Sequence, residues 1–176
     1  MALYSSSVEY GLHCLLFLVD SSGAARASSL DLAEFQGISP SFVAKLFGRL
    51  KAAGLVTAIE GAHGGYQLAR RAEDITVLDV VDALEGDKPL FQCKEIRRNC
   101  ALFADSAPSW ATKGLCSIHA VMREAESLMK QSLANHTLAD LSERVQRKAP
   151  KTFSIDANAW FADRKTAKSR RKSSDK

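Results

Sequence analysis

The sequence predicts a mainly α-helical fold with one small β-hairpin, and three observations carry that expectation. Apolar residues recur at spacings of three and four along most of the chain. Capping residues and glycines punctuate those runs at their ends. One pair of short strand-like runs, Leu55 to Glu60 and Tyr66 to Arg70, is joined by Gly61-Ala-His-Gly-Gly65.

Taken in order, a first helix is expected from about Ser7 to Val19, where Val8, Leu12, Leu15, Leu16 and Val19 lie at helical intervals. Ser6 and Glu9 have capping-box spacing at its start. Gly23 marks a break, and Ser28 or Ser29 caps a second helix, Leu30 to Gln36. Gly37-Ile38-Ser39 then turns the chain into a third helix, Ser41 to Ala53, closed by Gly54. Ala33 supplies a small residue where helices cross, Gly37 a turn residue tolerant of positive φ, and Val43 an apolar contact. Together they form the skeleton of a helix-turn-helix. The hairpin that follows is expected to be its wing.

Thr76 to Glu85 reads as another amphipathic helix. Residues 87–115 form a long irregular stretch that holds Cys93 and Cys100 and ends just before Cys116; loops of that length usually serve a purpose. From Ser117, the residues Ile118, Val121, Met122, Ala125, Leu128, Met129 and Leu133 trace one apolar seam over about four turns. The helix Ser117–Leu133 is therefore expected to pair with its symmetry mate in a homodimer. The organisation that results is a winged helix-turn-helix over 1–86, a cysteine loop over 87–116, a long C-terminal dimerisation helix with a short following helix over 117–145, and a flexible basic tail over 146–176.

Composition bounds the remaining choices. A chain of 176 residues, 46% hydrophobic and 25% charged, has the balance of a soluble globular protein with room for one ordinary domain and an extension. No apolar run approaches the roughly 18 to 20 residues that span a bilayer, and no basic segment with a small-residue cleavage site opens the chain. A cytoplasmic location without membrane attachment is expected. Cys14, Cys93, Cys100 and Cys116 would be kept reduced there, so they read as metal, cluster or redox ligands rather than a disulfide framework. Cys14 lies in an apolar run and is expected to be buried packing. Residues 148–176 hold nine basic against three acidic side chains, whereas the rest hold fifteen against seventeen. That tail reads either as an arm attracted to phosphates or as a solubilising extension.

On the third helix, Ser39, Ser41, Lys45 and Arg49 are polar while Phe42, Val43, Leu46 and Leu50 form the buried stripe. Hydroxyls near a helix N-terminus can hydrogen-bond phosphates or base edges, and Lys45, Arg49 and Lys51 can neutralise phosphates. At the wing tip, His63, Gly64 and Gly65 let backbone approach a phosphate or a minor groove. Double-stranded DNA is the expected partner. Cys116 with His119 is not read as a catalytic pair, because no phosphate loop, oxyanion motif or orienting acid accompanies it.

Ser39-Pro-Ser-Phe-Val-Ala-Lys45, Ala53-Gly-Leu-Val56, Gly64-Gly-Tyr66, Ile75-Thr-Val-Leu-Asp-Val-Val81, the cysteine loop and Thr137-Leu-Ala-Asp-Leu141 resemble the Rrf-type family of regulators, which includes IscR and NsrR. The resemblance spans residues 1 to about 142 and implies a dimeric winged-helix transcription regulator, here read as a repressor, with an iron-sulfur cluster held by loop cysteines. Val8-Glu-Tyr-Gly-Leu-His-Cys14 and Phe91-Gln-Cys-Lys-Glu-Ile-Arg97 are similar to the redox-sensing RsrR-type branch. That branch implies a [2Fe-2S] cluster held by Cys93 and Cys116 of one subunit and Glu9 and His13 of the other. Glu9 and His13 are four residues apart, so one helix face carries both. The branch has tryptophan where this chain has Tyr10. A second ligand set, Cys93, Cys100, Cys116 and His119, follows from the IscR-like pattern. The other reading is a regulator with a Zn²⁺ or thiol-disulfide switch and no cluster.

Overall fold

A computed structural model describes residues 3–19, 26–61, 64–103 and 106–174, with side chains as far as Arg164. The chain divides into two compact units, residues 1–86 with 134–176, and residues 87–133.

The first unit opens with α1 (Ser6–Val19), α2 (Ser29–Gln36) and α3 (Pro40–Ala52). At the start of α1, the Ser7 N–H donates to Ser5 Oγ at 3.2 Å, so the cap is Ser5 and the expected Ser6–Glu9 box does not form. Ser5 in turn donates its N–H to Glu85 at 3.1 Å, tying the helix start to the end of a later helix. The Gly23 break lies outside the described residues. Ser28 caps α2 in a box with Asp31, and Gly37 ends it in the left-handed region at φ 65°, ψ 33°. A side chain at Gly37 would be strained there, whereas glycine lets the chain reverse within a few residues. Pro40 at the first helical position starts α3 one residue earlier than expected, because its fixed φ suits that place.

Strands β1 (Val56–Ile59) and β2 (Gly65–Leu68) pair antiparallel, from Val56↔Leu68 to Ile59↔Gly65. Ala27 bridges to Tyr66 and attaches the hairpin to the segment before α2. α4 (Val77–Glu85) and α7 (Leu138–Lys148) begin with matching capping boxes, Thr76 with Asp79 and Thr137 with Asp140. Their two approaches are zipped together by Val77 N–H to His136 O at 2.8 Å and Leu138 N–H to Ile75 O at 2.9 Å. The core of this unit is Leu15, Leu32, Val43, Leu46, Phe47, Leu50, Leu55, Ile75, Val80, Leu84 and Leu138, all essentially inaccessible. α7, expected to belong with the dimerisation helix, is part of this unit instead.

The largest departure is the C-terminus. The segment expected to be a flexible tail forms α8 (Lys151–Ser174), and its first half is packed. Phe35 of α2 meets Trp160 at 4.9 Å and Phe161 at 5.0 Å between ring centroids, and Phe17 of α1 meets Phe161 at 6.0 Å. Arg164 lies over the Trp160 ring at 4.4 Å and forms an ion pair with Glu34. Aromatic contact of this kind outweighs the basic composition that made the segment read as solvated.

In the second unit, residues 87–115 are less irregular than expected. They contain 3-10 turns at Ile96–Asn99 and Ala101–Phe103 and a short helix, α5 (Ser109–Thr112). α6 (Ser117–Ala134) follows. Lys130 binds Asp87 at 2.9 Å and Glu126 at 3.0 Å, which pins the start of the unit to this helix. No residue of α6 is buried, and Ile118, Val121 and Leu128 are 67%, 64% and 60% exposed. Among the described residues, no helix is long and apolar enough to cross a membrane.

Candidate nucleic-acid interface and thiol centre

α3 buries Val43, Leu46, Phe47 and Leu50 and turns the opposite face outward. Ser39, Ser41, Lys45, Arg49 and Lys51 are all exposed. The Ser39 and Ser41 hydroxyls meet at 3.0 Å over the start of the helix, where the Phe42 and Val43 N–H groups donate to Ser39 O. Exposed hydroxyls with Lys45 and Arg49, four residues apart on one helix face, suit a polyanion that also presents base edges.

The wing stands beside it. A Cβ at Gly65 would come within 2.8 Å of the Ala27 carbonyl oxygen, and one at Gly64 would strike the carbonyl of Ile59. Both positions are therefore restricted to glycine, Gly64 by the tightness of the hairpin and Gly65 by the close approach of the segment before α2. His63 lies outside the described residues.

Of the candidate ligands, the structure brings two together. Cys116 sits immediately before α6, where the backbone N–H groups of His119 and Ile118 and the Cys93 thiol all act on its sulfur. Those N–H groups, with Arg97 nearby, draw the Cys116 thiol below its ordinary value, a thiolate-favouring setting at a helix N-terminus. Cys93 also lies 3.7 Å from Glu95 Oε1. Cys100 is exposed, and the His119 ring faces Phe91 at 6.0 Å. Among the described residues, no three His, Cys, Asp or Glu side chains converge as a metal site, so this chain alone does not assemble the set Cys93, Cys100, Cys116 and His119. Cys14 is fully buried, and burial pushes its thiol up to about 12, which makes it inert packing.

Glu9 and His13 are exposed one turn apart on α1. With Ser5 as the cap, the Glu9 carboxylate is not consumed by the helix start. Between them, the Tyr10 ring meets Phe42 of α3 edge-on at 5.8 Å. α1, which bears the two candidate ligands, thus touches α3, which bears the candidate DNA-binding residues, through Tyr10 and Phe42.

Two groups escaped the sequence reading. Arg97 and Glu95 form an ion pair at 2.7 Å beside Cys93, and both stand in the Phe91–Arg97 motif, whose last residue had no assigned role. Trp160, Phe161 and Arg164 anchor α8; their aromatic content was the signal that a solvated tail would lack.

Residues 4–144 match the Rrf2 family, described as an iron-dependent transcriptional regulator. The chain belongs to the Rrf2 family. The rrf2 protein of Nitratidesulfovibrio vulgaris is 39% identical over 133 residues, 76% of this chain and 82% of that one. Among solved structures, IscR of T. potens is similar at a TM-score of 0.63 and 26% identity, covering 85% of this chain and 92% of that one. CymR, the global cysteine regulator of B. subtilis, is similar at 0.60 and 26%, covering 82% and 98%. As an Rrf2-family member the chain is a DNA-binding transcription regulator of the winged-helix type, in a family of regulators rather than enzymes. α8 lies beyond the stretch that matches the Rrf2 family.

Proposed function

We propose that this chain is a cytoplasmic, homodimeric repressor that binds double-stranded promoter DNA and is switched by the redox or assembly state of a [2Fe-2S] cluster, as in the RsrR-type branch it resembles. The observation that carries this reading is the pairing of Cys93 with Cys116 while Glu9 and His13 stand free on one face of α1. Two thiolates from one copy with a carboxylate and an imidazole from another make four donors, the number a two-iron cluster takes from protein. Each chain thus fits as half of a site, and the similarity to IscR and the family description support iron as its content. When bound, the cluster supplies a one-electron couple whose potential is raised by an imidazole in place of a thiolate.

The chain's own residues do the rest. The N–H groups opening α6 lower the Cys116 thiol from its ordinary value, which favours its thiolate. Glu9 and His13 orient the face of α1 toward a second copy, and Tyr10 on Phe42 passes a change in α1 to α3 through packed rings. The apolar seam of α6, exposed in the single chain, is the surface proposed to join the copies. Ser39, Ser41, Lys45, Arg49 and Lys51 with Gly64, Gly65 and His63 of the wing then meet DNA.

A thiol-disulfide switch is the second reading, favoured by the adjacency of Cys93 and Cys116. A tetrahedral Zn²⁺ site needs four donors and would also require a second copy. Purification without oxygen separates these readings. The cluster reading expects visible absorption and about two iron and two sulfide per chain; colourless protein that loses both thiols on air exposure would establish the disulfide switch instead.

A further inference from the structure

We propose that Arg97 is the positioning residue of the thiol centre: its guanidinium ties the segment carrying Cys93 to the segment carrying Cys116 and sets a fixed positive charge beside both sulfurs. This rests on the reading of Cys93 and Cys116 as the functional pair and adds a residue which that reading leaves unassigned.

The geometry begins with Glu95, the one non-glycine among the described residues at positive φ, at 51°. Such a backbone persists where its surroundings hold it, and such residues cluster at functional sites. What holds Glu95 is Arg97: Nε donates to Glu95 Oε2 at 2.7 Å, while the other carboxylate oxygen lies 3.7 Å from Cys93 Sγ. The same guanidinium reaches across the unit with its terminal nitrogen, which donates to Gly114 O at 2.7 Å and Thr112 O at 3.3 Å. Those two carbonyls belong to the short run that delivers Cys116 to α6. One side chain therefore spans the two walls of the thiol pair, which are 23 positions apart in sequence. Lysine cannot replace it, because a point charge lacks the planar fork that serves a carboxylate and two carbonyls at once. Arg97 is three-quarters buried at its side chain, so its charge is weakly screened from the sulfurs beside it.

Two consequences separate positioning from mere stability. In cluster-free protein, Cys93 and Cys116 are held for reaction, so their disulfide forms fast with the thiol oxidant diamide, which takes up two electrons and two protons and leaves as the hydrazine. In the loaded protein, reduction adds negative charge next to a fixed cation, so Arg97 favours the reduced state. Wild type, Arg97→Gln, Arg97→Lys and, as control, the exposed neighbour Arg98→Gln are compared in the full chain, with far-ultraviolet circular dichroism confirming the same helix content. Diamide crosslinking is followed by mass at about pH 10, where ordinary thiols are already ionised. Arg97→Gln and Arg97→Lys are expected to slow it on the order of tenfold through lost alignment.

In loaded protein, spectroelectrochemical titration is expected to show Arg97→Gln moved toward the oxidised state by on the order of tenfold, about 59 mV for one electron. Arg97→Lys is expected to recover most of that shift, and Arg98→Gln to match wild type in both measurements. Unchanged crosslinking in Arg97→Gln overturns the tie. An unchanged potential overturns the charge. If wild type carries no iron at all, the cluster reading fails while the crosslinking rates still decide the role of Arg97.

Discussion

Cys93 and Cys116 meet although neither local periodicity nor sequence proximity draws them together; a helix N-terminus holds one and an ion-paired turn the other. Their surroundings differ from those of Cys100, which is exposed and, among the described residues, joins no group of three donors. Replacement of Cys93 or Cys116 by Ala is expected to abolish iron content and visible absorption, with Cys100→Ala retaining both. Iron and sulfide analysis of the three variants checks this, and a colourless Cys100→Ala protein would mark a three-cysteine site. Single-residue chemistry also explains why Arg97 could not be read in advance. Its partners are carbonyl oxygens fifteen and seventeen positions away, and backbone acceptors leave no trace in side-chain patterns.

The helices that were legible are those in which the 3.6-residue period and the termini agree. α2 and α4 have their apolar stripes bounded by capping boxes that the sequence spells out, and α3 exposes the polar face expected of it. α8 has the same kind of stripe, since Ala157, Trp160, Phe161 and Arg164 follow spacings of three, four and seven. Lysines and arginines next to it dominated the composition, and the docking partners Phe17 and Phe35 lie far away in sequence. Phe161→Ala is expected to destabilise the first unit by about 1–3 kcal/mol, below a full core truncation because the ring is only half-buried. Urea unfolding monitored by Trp160 fluorescence would measure it, and an unchanged midpoint would mean that α8 contributes nothing to the unit. The cap of α7 carries a pH signature. The Thr137 N–H and then its hydroxyl hold the Asp140 carboxyl below its ordinary value. A depressed carboxyl stabilises the fold above its unfolded pKa and loses that contribution as pH falls through its folded value. Asp140→Asn is therefore expected to be less stable than wild type at neutral pH, with the gap closing below about pH 4; thermal melts across that range test the sign.

At the scale of the molecule, a helix of 18 residues with no buried side chain is an unusual element for a monomer. Covering Ile118, Val121 and Leu128 with a second copy would contribute about 1.5–3 kcal/mol for each side chain fully buried. Val121→Glu, on the exposed seam, is expected to yield monomers by sedimentation equilibrium and to lose the cluster with the dimer; a persistent dimer would place the interface elsewhere. A dimer also presents two recognition helices, so promoter affinity should be steeply salt-dependent through Lys45, Arg49 and Lys51. DNA recognition is proposed to be coupled to a centre shared between copies, and the most direct test of that coupling is the affinity of one promoter duplex for the oxidised, reduced and cluster-free protein at a single fixed salt concentration. Affinities that differ among the three states by about 5-fold to 150-fold, the usual range for coupled sites, are expected; equal affinity in all three would contradict it.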